Sequence, residues 1–177
     1  KKSYLIEGAD VFFWSTVATA FKIALRGLSP LGLLFWASIF SFLALVSILL
    51  LQGKWRELIF GTRSDYLRSL VLGMLNPVAY YLCLFFAYDK LPAREALSLN
   101  YTWAIMLGIL SVPLLGQKIG IKGIVGLLAG FAGVAVIIGG KDLNFSNSES
   151  PEGIVAALLS AVIWALYWIF NMKDKRD

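Results

Sequence analysis

The sequence contains no His and only one Cys, Cys83. Without His, the most common general base and a frequent zinc ligand are absent, and a single Cys cannot form an internal disulfide. No cluster of metal-ligating residues and no nucleophile–base pair is recognisable along the chain. We therefore expect a protein that is not an enzyme and that needs neither a metal ion nor another cofactor.

Charged residues are also scarce. They make up 15% of the 177 residues, against about 25% in soluble domains, while hydrophobic residues make up 59%. Each of five stretches without Asp, Glu, Lys or Arg is long enough, at about 18 residues or more, to cross a membrane as a helix. A soluble enzyme, a disordered chain and a nucleic-acid-binding module are thereby excluded. The stretches are 27–53, 69–88, 96–117, 123–140 and 153–172.

These stretches predict an all-α membrane protein with six transmembrane helices, whose surroundings are the lipid bilayer. The additional first span is an apolar run that includes Lys22, which lies near one end and can extend to the interface. Most connections are short, so consecutive helices should be antiparallel neighbours. The expected spans are 9–28, 30–51, 67–88, 94–115, 121–140 and 153–171.

The positions of Lys and Arg indicate an orientation. If the N-terminus is cytoplasmic, eleven of these residues fall in cytoplasmic segments, four in external segments, and Lys22 within a span. Cytoplasmic loops of membrane proteins carry an excess of Lys and Arg. The pattern therefore predicts a cytoplasmic N-terminus and, with six spans, a cytoplasmic C-terminus.

The sixth span resembles the first, because Val11–Ser15 aligns with Ala161–Ala165 without a gap. Five spans separate the two starts, and an odd number reverses the membrane direction of the second unit, as in inverted-repeat transporters. We expect residues 1–140 to form a first five-helix repeat, 141–152 a polar loop, and 153–177 the first helix of an inverted second repeat. In this interpretation the chain is part of a protein with about ten spans, and the missing C-terminal repeat is its partner.

The fourth and fifth spans carry the most specific pattern. A short loop leads into Leu91–Trp103, an Ala-containing segment with a Tyr-Thr step, and Pro113 follows it. A Gly-rich fifth span then contains Gly133-Val134. This order resembles the EamA family of the drug/metabolite transporter superfamily, although Gln117 stands where an acidic residue is common in that family.

The resemblance implies ten helices in two inverted five-helix repeats around a central cavity. It also implies export or import of small metabolites such as amino acids, and a location in a prokaryotic plasma (inner) membrane. Neither implication follows from the composition or the spacing of the chain.

Polar side chains within the spans are candidate substrate ligands, since a polar group is costly in the membrane unless it is satisfied. The third span offers Asn76 and Tyr80 on either side of Pro77, which should kink the helix. An alternative role for Asn76 is a hydrogen bond to a neighbouring helix. Because they are three or four residues apart, Asn76, Tyr80 and Cys83 should share one helical face.

Aromatic side chains complete the candidate site. Asn100 and Trp103 share a face of the fourth span, and Trp103 should lie roughly 13 Å inside the membrane, nearer to the midplane than to the interface. Packing between helices is the alternative role for both. Trp14 and Trp164 are equivalent positions under the proposed repeat, and we expect them to face each other across the cavity.

Small residues in the fifth span favour helix packing. Gly126, Gly130 and Gly133 form steps in which a missing side chain lets two membrane helices approach closely. We therefore assign these glycines to packing and not to ligand binding.

Two functions remain open from the sequence. The first is a secondary transporter of small organic metabolites that works by alternating access around a central cavity. The alternative is a structural or assembly subunit of a membrane complex without transport activity of its own. A transporter should have a polar-lined cavity between the first, third, fourth and sixth spans, whereas a structural subunit should be tightly packed there.

Overall fold

A computed structural model of the chain describes residues 2–54, 56, 61–139 and 150–173. This part contains eight α-helices and a π-helical turn, and no strand occurs in it. The predicted all-α fold is therefore confirmed. The helices are α1 (Lys2–Ala24), α2 (Pro30–Leu51), α3 (Arg63–Gly73), α4 (Tyr80–Lys90), α5 (Ala93–Asn100), α6 (Trp103–Leu115), α7 (Ile121–Gly139) and α8 (Pro151–Lys173), and the π turn is Met74–Ala79.

Six apolar helical segments match the six predicted spans. Among the described residues, four segments are long and apolar enough to cross a membrane: Pro30–Leu51, Arg63–Lys90, Ala93–Leu115 and Pro151–Lys173. Two shorter apolar segments, Val11–Ala24 and Ile121–Gly133, coincide with the predicted first and fifth spans. The chain is therefore a multi-pass membrane protein, while its orientation and its division into two repeats stay predictions.

The predicted polar loop 141–152 lies largely outside the described residues, as does the C-terminal end 174–177. The described end of the loop belongs to a helix, because α8 begins at Pro151. Ser150 Oγ accepts a hydrogen bond from the Gly153 N–H at 3.2 Å, and Pro at the first helical position is pre-organised for a helix. These polar residues are therefore the N-terminal cap and first turn of α8.

The third predicted span is not one continuous α-helix. The chain leaves the helical region at Asn76 (φ −142°, ψ 117°), which precedes a cis peptide bond to Pro77. The α conformation is disfavoured before a proline, and Pro has no N–H to donate to the preceding turn. The kink predicted at Pro77 is therefore present, and it separates α3 from α4.

The last helix, α8, holds much of the bundle together. Its most extensive contacts are with α4 and α6, and it also contacts α3, α5 and the π turn. Its buried side is a stripe of small residues spaced four apart, in which Ala157, Ala161 and Ala165 are fully buried. Small side chains let helices approach closely, so that dispersion contacts hold them where lipid provides no hydrophobic driving force.

The glycines assigned to packing in α7 differ from one another. A Cβ added to Gly130 would lie 3.1 Å from Ile105 Cδ1 of α6, whereas a Cβ added to Gly126 or Gly133 would meet nothing within 4 Å. Gly130 therefore packs against α6, whereas the packing role of Gly126 and Gly133 stays a prediction.

Gly153 lies at the start of the small-residue stripe, where α8 meets the end of α4. A Cβ added to Gly153 would lie 2.8 Å from Leu91 Cγ and 2.9 Å from Lys90 Cβ. Both atoms are close to the backbone, so they cannot move aside as easily as the far end of a long side chain. The contact therefore requires a residue without a side chain.

Gly153→Leu should destabilise the protein by about 1–3 kcal/mol, the usual cost of overpacking. Gly8→Leu is the matched control, since a Cβ added to this exposed residue of α1 would meet nothing within 4 Å and should change stability little. Unfolding of both variants by SDS in mixed detergent micelles, followed by circular dichroism, measures the difference. Equal stability of the two variants would show that the approach of α8 to Leu91 is not needed.

Candidate functional site

A cavity of about 260 Å³ lies between α1, α4, the junction of α5 and α6, and α8. These helices form the first, third, fourth and sixth predicted spans, between which the sequence predicts a cavity for a transporter. Nine of the thirteen lining residues are aromatic and none is charged. The walls are therefore mainly aromatic and not, as expected, mainly polar, and most of the polar groups are the ends of Tyr and Trp side chains.

The cavity has a buried floor and an exposed rim. At the floor, Tyr80, Leu84 and Tyr88 of α4 are at most 4% exposed. At the rim, more than half of the surface of Trp14 and Tyr101 is exposed. A small molecule that enters at the rim would therefore meet α4 at the innermost point.

Trp164 of α8 stands at the centre of an aromatic wall. Its ring centroid lies 4.5 Å from that of Tyr80, with a tilt of 35° between the planes. Trp168, one turn further along α8, meets Trp164 edge-on at 6.3 Å. Such aromatic pairs typically contribute about 0.5–1.5 kcal/mol beyond the area they bury, so these contacts fix the orientation of the Trp164 ring beside the floor.

A chain of buried hydrogen bonds joins three helices at the floor. Tyr80 Oη donates to Asn100 Oδ1 at 3.2 Å, and Asn100 Nδ2 donates to Ser160 Oγ at 3.0 Å. Ser160 Oγ in turn donates to the carbonyl oxygen of Ala157 at 2.6 Å. Within a membrane, such polar groups must be satisfied by the protein itself. These hydrogen bonds therefore connect α4, α5 and α8 at one point.

Five of the six predicted substrate ligands line this cavity: Trp14, Tyr80, Asn100, Trp103 and Trp164. The structure thus brings together residues that the sequence singles out separately in four different spans. Substrate binding by these residues stays a prediction, as does the direct opposition of the two Trp rings of the proposed repeat.

Asn76, the sixth predicted ligand, does not line the cavity. Its Oδ1 is buried, and the described residues offer it no hydrogen-bond partner. Cys83, which the sequence places on the same face as Asn76 and Tyr80, lines a different cavity, between α2, α4 and α8. Asn76 lies outside the cavity because its backbone is non-helical within the π turn, which interrupts the regular helical spacing between Asn76 and Tyr80.

Ser160 is a site residue that did not emerge from the sequence. A Ser in a membrane helix usually bonds to a carbonyl of its own preceding turn, and the sequence does not tell which Ser also reaches another helix. A usable signal is the spacing of Gly153, Ala157, Ala161 and Ala165, which marks the buried side of α8 next to Ser160.

Comparisons with known proteins point to transporters. Residues 8–139 match the EamA-like transporter family. The chain is 33% identical over 104 residues to the uncharacterized transporter YvbV of Bacillus subtilis (strain 168), which covers 59% of this chain and 33% of that protein. It is 25% identical over 173 residues to an uncharacterized transporter of Archaeoglobus fulgidus, which covers 97% of this chain and 58% of that protein.

A third relative carries a more specific name. The chain is 30% identical over 107 residues to the aromatic amino acid exporter YddG of Ancylobacter novellus, which covers 60% of this chain and 37% of that protein. The chain thus spans at most 58% of the length of these three relatives. No solved structure matches the chain.

Tyr80→Phe should destabilise the protein by about 1–3 kcal/mol, because Asn100 Oδ1 loses its donor in a buried position. The stacking of the ring on Trp164 is kept in this variant. Tyr101→Phe is the control, since Tyr101 is 54% exposed and its hydroxyl should contribute little. SDS unfolding of the two variants measures the effect, and a Tyr80→Phe variant as stable as the control would contradict a structural role of the hydroxyl.

Proposed function

The chain belongs to the EamA-like transporter family, and we propose that it is part of a secondary transporter for small organic molecules with an apolar or aromatic group. The observation that carries the proposal is the aromatic cavity between α1, α4, the α5–α6 junction and α8. In inverted-repeat transporters, the substrate site lies near the midplane, where the repeats meet.

The size and the walls of the cavity support this substrate class. A volume of about 260 Å³ is close to the lower end of ligand pockets, roughly 300–1,000 Å³, which suits a molecule of amino-acid size. The ring of Trp164 offers a stacking surface, and Asn100 and Tyr80 place hydrogen-bonding atoms beside it. The name of the Ancylobacter novellus relative, an aromatic amino acid exporter, supports the same class for this chain.

The proposed mechanism is alternating access. The helices of the C-terminal repeat beyond α8 would rock against α1–α8, so that the rim at Trp14 and Tyr101 opens to one side of the membrane at a time. The hydrogen bonds at the floor hold α4, α5 and α8 together during this movement. The proposed location is a prokaryotic plasma membrane, with the N-terminus in the cytoplasm.

A structural subunit without transport activity is the second function that the sequence leaves open. Tight packing between the four spans would favour it. A cavity occupies this place instead, and the observation therefore favours transport.

Trp164→Ala should lower uptake of labelled phenylalanine several-fold in liposomes that contain the full-length protein, because it removes the stacking surface beside Tyr80. Trp36→Ala is the control, since Trp36 lies on α2, is 49% exposed and does not line the cavity. Uptake is measured after equal incorporation of folded protein has been verified by size-exclusion chromatography.

Three results would count against the proposed function. They are the absence of uptake of any labelled metabolite by the native protein, equal loss in both Trp variants, and no loss in Trp164→Ala. The first would favour the structural alternative, and the other two would place the substrate elsewhere in the protein.

A further inference from the structure

The direction of the hydrogen bonds at the cavity floor is determined by Ala157. A carbonyl oxygen can only accept, so the hydroxyl of Ser160, at 2.6 Å from it, uses its single proton there. Ser160 Oγ can then only accept from other helices. Asn100 therefore turns its NH₂ group toward Ser160 and its Oδ1 toward Tyr80, which also decides the two-fold ambiguity of the amide.

Tyr80 stands at the cavity end of this chain. Because Asn100 Oδ1 is an acceptor, the phenolic proton of Tyr80 is used in the 3.2 Å hydrogen bond between them. The phenolic oxygen keeps a lone pair but has no proton to give to a molecule in the cavity that Tyr80 lines. Tyr80 is therefore an acceptor toward a substrate.

The surroundings of Tyr80 also favour a substrate that carries a hydrogen-bond donor with positive charge. The faces of aromatic rings carry partial negative charge and attract ammonium groups within about 6 Å. The ring of Trp164 lies 4.5 Å from that of Tyr80. No Lys or Arg is among the lining residues described, so none of them offers a cation to a carboxylate.

We propose that Ser160 is a positioning residue for substrate selectivity and that the cavity prefers molecules with an ammonium group on an apolar or aromatic body. Ser160 acts through Asn100, whose amide it holds in the orientation that occupies the Tyr80 proton. The inference rests on the proposed function, since it assigns a polarity to the same site.

Ser160→Ala removes the acceptor that holds the amide of Asn100. The amide can then turn over, in which case Nδ2 faces Tyr80 and the phenolic proton becomes available to the cavity. The amine preference should fall, and a carboxylate should bind better relative to an amine. The variant thus changes which chemical group is preferred, whereas a loss of folded protein lowers the amount of every bound ligand alike.

Ser111→Ala is the matched control. Ser111 of α6 is 5% exposed and donates to the carbonyl oxygen of Gly108 at 2.7 Å, which is the same bond to its own helix that Ser160 makes. It does not line the cavity. Its removal therefore has the same chemical character as Ser160→Ala but leaves Asn100 and Tyr80 unchanged.

The test uses two probes that share a phenyl ring and differ in charge, 2-phenylethylamine and 3-phenylpropionate. Their dissociation constants are measured on the purified full-length protein through quenching of tryptophan fluorescence, for the native protein and both variants. We expect the native protein and Ser111→Ala to bind the amine more tightly. The measure of the amine preference is the dissociation constant of 3-phenylpropionate divided by that of 2-phenylethylamine. In Ser160→Ala this ratio should fall by about tenfold, the effect of one hydrogen bond to a charged group.

A native protein that binds the carboxylate as tightly as the amine would overturn the inference. So would a ratio that stays the same in Ser160→Ala, or one that falls equally in Ser111→Ala. Liposome uptake of labelled phenylalanine is measured in parallel. Amine-selective binding without uptake would refute the proposed transport but not the preference of the site for an ammonium group. Uptake with the same ratio in Ser160→Ala as in the native protein would refute the role of Ser160 but not the proposed transport.

Discussion

Close contact between α8 and α4 is the constraint on which the cavity depends. Lipid tails are as apolar as the side chains of a membrane helix, so helices associate through packing and hydrogen bonds. The stripe from Gly153 to Ala165 allows α8 to approach closely enough for the 3.0 Å bond from Asn100 to Ser160 and for the 4.5 Å stack of Trp164 on Tyr80. Bulkier residues in the stripe would separate these groups and open the floor.

Breaks in the helices place the polar residues at the floor. Tyr80 is the first residue of α4, directly after the π turn, while Asn100 ends α5 and Trp103 begins α6. Irregular backbone is tolerated within a membrane where it is buried in protein or lines a cavity, because the freed groups need partners. Thr102, between α5 and α6, is 1% exposed and donates to the carbonyl oxygen of Leu99 at 2.6 Å, which is a local partner of this kind.

The sequence predicts the spans well because charge is excluded from hydrocarbon, and it predicts Tyr80 and Asn100 as cavity residues because a polar side chain in the middle of a span needs a reason to be there. Trp164 is predicted through its equivalence to Trp14 under the proposed repeat. It cannot rank positions whose role depends on a neighbouring helix. Ser111 and Ser160 have the same local bond to their own helix, and only three-dimensional packing distinguishes them. Asn76 lies outside the cavity lining for a similar reason, since the break in the backbone interrupts the helical spacing that would place it next to Tyr80.

The helix that completes the cavity lies outside the residues that match the family, 8–139. Separation of α8 from α5 would leave the buried amide of Asn100 without its acceptor, at a cost of about 1–3 kcal/mol. The packing of the small-residue stripe would be lost as well. We therefore expect α8 to move together with α4 and α5, even though the proposed repeat assigns it to the second unit. The boundary between the moving parts then lies beyond α8, so that access to the cavity changes at the rim while the floor keeps its geometry.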